Sequence, residues 1–196
     1  SGASNFSQDL STWESKLSEN SLNGNSNRNF EAEWDSNNSK YIFTKHKLAN
    51  AEFKQATWDW VQNSTTAETK WGNIANWDTS DVTDMSKVFS KYRNEAGNLV
   101  TDSNGLVVNN DILSNIESFN SDITLWNTAK VTNMSHMFSG AAAFNQNINT
   151  NNNKWNTTIV TDMASMFEDA TAFDQNINNW VVSKVTSMEK MFNNAV

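Results

Sequence analysis

Apolar residues recur at a fixed interval in the second half of the chain. Residues 155–167 and 180–192 carry the same tryptophan, valine, two methionines and phenylalanine, displaced by 25 residues. Earlier copies begin at Val131 and Val82, and the extra residues between copies fall in polar or divergent segments. A period of this length predicts a repeat array whose neighbouring units pack on one another.

Within one unit, the pattern indicates a short helix followed by a strand. Residues 163–170 place Met, Met, Phe and Ala at i, i+3, i+4 and i+7, which is typical of an amphipathic helix. Thr161 precedes this stripe and is predicted to cap the helix. Residues 173–180 alternate apolar side chains with Asn and Gln and favour a short strand with its turns.

A single unit cannot fold alone, because burying about eight side chains does not offset the backbone entropy lost on ordering roughly 25 residues. Neighbouring coils must therefore share one core. We predict an α/β fold, a leucine-rich-repeat-like solenoid of about 25-residue coils, each a short strand plus a short helix, with two insertions. The predicted core residues are Trp77, Val82, Met85, Phe89, Phe119, Ile123, Trp126, Val131, Met134, Met137, Phe138, Phe144, Ile148, Trp155, Val160, Met163, Met166, Phe167, Phe173, Ile177, Trp180, Val185, Met188, Met191 and Phe192.

The motif W-x-x-x-x-V-T-x-M-x-x-M-F-x-x-A-x-x-F-x-Q-x-I resembles the repeat of BspA-like leucine-rich-repeat surface proteins, in particular the mycoplasma lipoprotein repeat family. The resemblance covers residues 72–196 and, in part, 3–13. It implies a leucine-rich-repeat-like coil and a bacterial protein that is secreted or lipid-anchored at the cell surface. No cysteine is present, so the resemblance implies an anchor outside this chain.

We interpret the chain, residues 1–196, as a single repeat domain and as a fragment of a larger protein, since both ends fall inside a repeat unit. Its predicted parts are a partial repeat at 3–13, a divergent insertion or cap region at 14–71, and regular repeats at 72–196 with a hairpin insertion at 90–113.

The two insertions are the candidate contact regions. Asn104-Gly105 lies between apolar pairs and predicts a β-hairpin, and the first insertion is predicted to hold a helix from about Leu48 to Val61. Its tryptophans either cap the solenoid or form an aromatic contact patch, and both interpretations stay open. The candidate binding residues are Trp58, Trp60, Asp102, Asn104 and Gly105.

Composition narrows the choice of function. Fourteen Lys and Arg against 22 Asp and Glu give a net charge of -8, which argues against nucleic acid as a partner. His46 and His136 are isolated in the sequence, and no motif for catalysis, a metal or a cofactor occurs. No run of about 18 apolar residues predicts a membrane-spanning helix.

We therefore expect a non-enzymatic module for binding or adhesion at the bacterial surface, with a protein or another host extracellular macromolecule as partner and no catalytic, metal or cofactor residues. One alternative is a structural spacer that projects a distal domain. Another is a glycan-binding module that stacks sugars on its repeated tryptophans, although a core position for those rings is favoured. A row of exposed threonines for ice binding, at Thr79, Thr128 and Thr157, is the weakest alternative.

Overall fold

The computed structural model describes residues 30–35, 40–108, 111–150 and 154–195. The predicted partial repeat at 3–13 and the first part of the divergent region lie outside these residues. The elements are strands β1 (Phe30–Asp35) and β2 (Lys40–Lys45), helices α1 (Asn50–Gln62) and α2 (Ser64–Trp71), and 3-10 helices at Ile74–Asn76 and Asp111–Ser118. Strands β1 and β2 form an antiparallel pair in which Phe30 faces Lys45 and Asp35 faces Lys40.

Helix α1 packs across the first repeat. The helix predicted from Leu48 to Val61 is confirmed to within two residues at its start. Its buried side chains include Phe53, whose ring meets Trp126 edge-on at 5.1 Å, and Trp60, whose ring meets Trp77 at 5.7 Å. Helix α1 thus covers the N-terminal end of the repeats and buries their first aromatic rings.

The predicted strand-plus-helix coil of leucine-rich-repeat type is wrong. Among the described residues between 77 and 195 there is no α-helix and no strand, only the 3-10 helix at Asp111–Ser118, single-residue bridges and tight turns. Within 163–170 the backbone N–H groups that bond inside the segment reach carbonyls three residues earlier, as from Met166 to Met163 at 3.2 Å and from Ala170 to Phe167 at 3.0 Å. An α-helix would bond four residues back.

The physical reason is a left-handed residue inside each predicted helix. Ser165 has φ 53° and Asp169 has φ 60°, whereas a right-handed helix needs a negative φ at each residue. Equivalent positions of other repeats, at Lys87, His136 and Lys190, have φ between 55° and 64°. Each such residue reverses the backbone and converts the predicted helix into consecutive tight turns.

The repeats stack in register, and we call residues 77–195 the repeat stack. Its four layers are residues 77–123, 126–148, 155–177 and 180–195. Alternate N–H groups of one layer donate to carbonyls of the next at 2.8–2.9 Å: Met134 to Asp162, His136 to Ala164, Phe138 to Met166, Met163 to Ser187, Ser165 to Glu189 and Phe167 to Met191. Isolated parallel bridges join Asp84, Asn133, Asp162 and Ser187.

The strand predicted at 173–180 is also absent, and side chains rather than a backbone ladder link the layers beside the tryptophans. The Thr157 hydroxyl donates to the Val181 carbonyl at 3.0 Å and accepts from the Val181 N–H at 2.9 Å. Thr128 does the same with Asn156, at 2.9 and 2.7 Å. A hydroxyl that both donates and accepts replaces two backbone bonds here.

Thr161 does not cap a helix. Its hydroxyl donates to the Thr132 carbonyl of the preceding layer at 3.0 Å. The Asp162 carboxylate accepts from the Ala164 N–H at 2.9 Å, and Asn133 uses its amide oxygen in the same way. Asp and Asn therefore alternate at this position because the turn needs only an acceptor oxygen.

Aromatic rings form continuous columns through the core. Within a layer, Phe138 lies 3.9 Å from Phe144 and Phe167 lies 4.0 Å from Phe173, with the rings nearly parallel. Between layers the corresponding rings are 5.6–6.0 Å apart. The tryptophan Trp126 stacks on Trp77 at 6.0 Å, so each layer buries its rings against the layers above and below it.

The last layer differs from the others. Met188 and Phe192, predicted in the core, are 42% and 46% exposed, whereas their equivalents Met163 and Phe167 are fully buried. Ile177 and Val185 are partly buried, and the structure buries the other predicted core residues. The exposure follows from position, since no described layer lies over residues 180–195.

Candidate binding surface

The second insertion forms a compact antiparallel segment, which we call the hairpin insertion, residues 92–108. Two tight turns connect its three extended parts. Arg93 forms an antiparallel bridge with Leu99, and Thr101 forms another with Val107. Three of the predicted binding residues, Asp102, Asn104 and Gly105, lie together in the second turn.

Asp102 holds this turn closed. Its Oδ1 accepts from the N–H groups of Asn104 at 2.8 Å and of Leu106 at 2.9 Å, while its carbonyl accepts from the Gly105 N–H at 3.0 Å. Gly105 has φ 76°, a conformation that glycine adopts at little cost. The Leu106 and Asn104 N–H groups lower the pKa of Asp102, so the turn keeps its negative charge at neutral pH.

Apolar side chains follow the turn and face solvent. Leu106 is 65% exposed and Val107 is 44% exposed. Asp102, Asn104 and Gly105 are also exposed. The end of the hairpin insertion therefore presents two aliphatic side chains beside one carboxylate, and sequence reasoning did not name Leu106 or Val107 as contact residues. The available signal was the run of three apolar residues, Leu106 to Val108, directly after Asn104-Gly105.

Arg93 fixes the base of the hairpin insertion on helix α1. Its side chain is fully buried, and its guanidinium donates to Thr57 Oγ1 at 3.3 Å and to the Lys54 carbonyl at 3.2 Å. The guanidinium also lies 5.3 Å from the centre of the Trp58 ring. Burial lowers the pKa of Arg93 to about 10, which still leaves it charged at neutral pH. Sequence periodicity gave no signal for this anchor.

Tyr92 fixes the opposite side of the base on the third layer. Its hydroxyl donates to Asp169 Oδ2 at 2.6 Å. Burial and this hydrogen bond raise the pKa of Tyr92, so the phenol stays neutral. Burial acts against the Asp169 charge, but hydrogen bonds from Tyr92 and Asn194 hold the pKa of Asp169 below its ordinary value.

The two predicted tryptophans have different environments. Trp58 is partly buried and contacts Arg93, so the structure brings it to the base of the hairpin insertion. Trp60 is buried, and its indole N–H donates to Ser121 Oγ at 3.2 Å. The prediction of an exposed aromatic patch made by both rings is therefore wrong, because Trp60 lies on the face of helix α1 that covers Trp77.

The repeated tryptophans are also inaccessible. Trp77, Trp126, Trp155 and Trp180 are all buried. Three of their indole N–H groups donate to backbone carbonyls at 2.9–3.1 Å: Trp126 to Ile74, Trp155 to Ile123 and Trp180 to Ile148. Sugar stacking on these rings would require the layers to separate. The threonine row Thr79, Thr128 and Thr157 is buried as well, so the exposed row considered for ice binding is wrong.

The histidines do not converge on other ionisable side chains in a way that resembles a metal centre. His46 Nε2 lies 3.2 Å from Glu52 Oε2 at the start of helix α1. His136 lies in the second layer, where its Nδ1 is buried without a hydrogen-bond partner. Across the residues with assigned positions, no three His, Cys, Asp or Glu side chains are grouped as metal ligands would be.

No helix in the described ranges has the length and apolar character needed to cross a bilayer. No curated protein and no solved structure matches the chain. Two overlapping segments, residues 59–153 and 110–196, match the protein family described as "Mycoplasma protein of unknown function, DUF285". Together they span residues 59–196, which include helix α2 and the whole repeat stack. The chain belongs to this family.

Proposed function

We propose that the chain is a non-enzymatic binding module of a bacterial surface protein and that the hairpin insertion contacts its protein partner. The observation that carries the proposal is the pair of exposed aliphatic side chains, Leu106 and Val107, on a segment with a fixed base. Exposed neighbouring apolar side chains that are rimmed by polar groups are typical of interaction sites.

The fixed base supports this use of the hairpin insertion. Arg93 and Tyr92 bind it to helix α1 and to the third layer, respectively. Asp102 closes the turn from within. A segment that is ordered before binding loses less conformational entropy when a partner docks, so more of the interaction energy remains as affinity.

The resemblance of the repeat motif to BspA-like surface proteins, together with the family match, supports a location at the cell surface or outside the cell. An anchor outside this chain, such as a lipid, would hold it there. The net charge of -8 supports a protein or another host extracellular macromolecule over nucleic acid as the partner.

The test uses purified extracellular matrix and plasma proteins immobilised as an array. The wild-type chain is compared with the double variant Leu106→Ser/Val107→Thr and with a matched control, Leu125→Ser, which changes a 55% exposed leucine on the repeat stack. We expect the wild type and the control to bind at least one array protein. The hairpin variant should bind it about tenfold more weakly, because contact residues near the centre of an interface carry most of the affinity.

Equal loss in the hairpin variant and in Leu125→Ser would show that the contact lies elsewhere. Absence of binding to each array protein by a folded wild-type chain would instead favour the structural spacer. The backbone bonds that join each layer to the next support that second candidate, since they build an extended scaffold independently of the hairpin insertion.

A further inference from the structure

The central segment of the hairpin insertion, residues 98–102, pairs with the rest of the insertion on one side only. The Val100 N–H donates to the Tyr92 carbonyl at 2.7 Å, and the Val100 carbonyl accepts from the Val108 N–H at 2.9 Å. The N–H and the carbonyl of one residue point to the same side of an extended segment. The first and last parts of the insertion therefore lie end to end on that one side.

The other side of the central segment is unpaired, and we call it the free edge, formed by Leu99 and Thr101. Backbone groups of alternate residues point to opposite sides of an extended segment, so these two residues direct theirs away from the internal bonds of Val100. Among the described residues, none bonds to the N–H or the carbonyl of Leu99 or Thr101. Such a row of unpaired backbone groups is a template for another extended chain.

Charge distinguishes the chains that can pair with the free edge. Residues 94–108 contain Glu95 and Asp102 but no Lys or Arg. Lys54 packs beside this region, but its ammonium already donates to the Asp84 carboxylate at 2.8 Å. Pairing the free edges of two copies would bring like charges together, which is unfavourable, whereas a segment with Lys or Arg would meet opposite charge.

The two faces of the insertion favour different side chains in an added segment. Thr101 is paired with Val107, so both lie on one face, and Asp102 lies with Leu106 on the other face. Side chains of an added segment alternate between the same two faces. Apolar side chains fit beside Val107 and Leu106, and a basic side chain fits beside Asp102.

We propose that the partner of the hairpin insertion binds by adding an extended segment to the free edge, and that this segment alternates apolar residues with at least one Lys or Arg. The inference rests on the proposed function and states what the partner must present. The backbone groups of Leu99 and Thr101 hold the segment by main-chain hydrogen bonds. The exposed side chains of Asp102, Leu106 and Val107 select its sequence.

The probe for this inference is a phage-displayed library of random peptides of about twelve residues, long enough for one extended segment. Peptides selected on the full chain are then synthesised and their affinities measured. We expect them to share apolar residues that alternate with Lys or Arg, and to bind more weakly as sodium chloride is raised.

Thr101→Pro removes one N–H of the free edge and should weaken binding of the selected peptides about tenfold or more. Proline is tolerated where the lost N–H points away from the pairing partner, so the bonds of Val100 should persist. Ser103→Pro is the matched control, because it places proline in the neighbouring Asp102–Gly105 turn, a common location for this residue. It should bind the peptides as the wild type does.

Hydrogen exchange at Val100 and Val108 checks that the insertion of Thr101→Pro is still paired internally. A second measurement leaves the protein unchanged and uses peptides that are N-methylated at alternate backbone nitrogens. Methylation of one alternating set should weaken binding about tenfold, and methylation of the other set should have little effect, because an added segment bonds through one set only. If exchange rises in Thr101→Pro, the methylated peptides decide the question.

Equal effects of the two methylated sets, or equal peptide binding by the wild type and a folded Thr101→Pro, would overturn the inference. A selection that yields no binding peptide would also overturn it. Dimers of the wild type that disappear in Thr101→Pro would overturn it by assigning the free edge to a second copy. None of these outcomes changes the array comparison of the wild type with Leu106→Ser/Val107→Thr, which tests the proposed function separately.

Discussion

Left-handed backbone conformation favours particular residue types at one place of the repeat stack. Asp169, Asn194 and Gly140 occupy equivalent places with φ of 60°, 58° and 80°. Asp and Asn are the side chains that tolerate this conformation best, because they are short and can bond to nearby backbone. At Gly140 a second constraint applies, because a Cβ there would overlap the Lys91 side chain.

We expect Gly140→Ala to lower the free energy of unfolding by about 2–3 kcal/mol, through backbone strain and the overlap with Lys91. Gly105→Ala is the matched control, because Gly105 has φ 76° but nothing lies within 4 Å of its added Cβ, and it should cost about 1 kcal/mol. Urea denaturation measures both. Adding Lys91→Ala to Gly140→Ala should restore part of the lost free energy of unfolding. If it restores none, the overlap with Lys91 is not the cause of the loss.

His136 links stability to pH. Burial, followed by the charge of Lys87, lowers the pKa of His136 below its ordinary 6.5. The unfolded chain therefore binds a proton at His136 more readily than the folded chain. The stability that comes from folding with a neutral His136 is fully present above pH 6.5 and falls as the pH drops below that value. We expect the free energy of unfolding of the wild type to decrease more steeply between pH 7 and 5 than that of His136→Gln, as followed by urea denaturation. Parallel curves would contradict this assignment.

At the scale of elements, the sequence predicted which side chains are buried better than it predicted the backbone conformation. The i, i+3, i+4, i+7 stripe of residues 163–170 identified four side chains that are fully buried, yet the segment is not a helix. Two consecutive tight turns bury the same positions as two helical turns, so periodicity alone cannot separate them. Helix α1 was predictable because thirteen residues keep one apolar face without a left-handed residue.

The candidate site was predictable only in part, for a similar reason. Asn104-Gly105 is a local turn signal, so the turn at Asp102 could be found from sequence. The burial of Trp60 and the anchoring of Arg93 depend on contacts between residues 36–61 positions apart, as in the bonds from Arg93 to Thr57 and from Trp60 to Ser121. Local sequence patterns cannot predict contacts between residues so far apart in the chain.

Tyr92→Phe should loosen the hairpin insertion while leaving the repeat stack folded. Losing the 2.6 Å bond to Asp169 should cost about 1–2 kcal/mol and raise hydrogen exchange at Val100 and Val108, whose N–H groups pair within the insertion. Asn194→Ala is the control, because it removes the other side-chain bond to Asp169 without touching the hairpin. Equal exchange increases in both variants would mean that Tyr92 does not anchor it.

At the scale of the whole molecule, helix α1 takes the place of a layer before the first layer of the repeat stack. Later layers pair their threonine N–H with the threonine carbonyl before it, as Thr132 does with Thr83 at 2.9 Å. The first layer uses Asn50 instead, whose Oδ1 accepts from Thr83 N–H at 2.8 Å and whose Nδ2 donates to Thr83 Oγ1 at 2.8 Å. One amide side chain thereby completes the exposed edge of the stack.

Asn50→Ala should therefore lower the free energy of unfolding by about 1–2 kcal/mol, because the Thr83 N–H and hydroxyl lose their partner. Asn50→Asp keeps the acceptor oxygen and loses only the donor, so it should cost less than Asn50→Ala. Thermal denaturation of the three proteins at pH 7 measures the order. If Asp is as harmful as Ala, the acceptor role of Asn50 is wrong.

The bonds that join the layers point along the axis of the stack, from one layer's N–H to the next layer's carbonyl. A pulling force applied along this axis would load a few of these bonds at a time and detach layers singly from the end. Such a molecule lengthens in steps under tension, each step releasing between 25 and 49 residues, the spacings of Val82, Val131, Val160 and Val185, and so yields gradually instead of all at once.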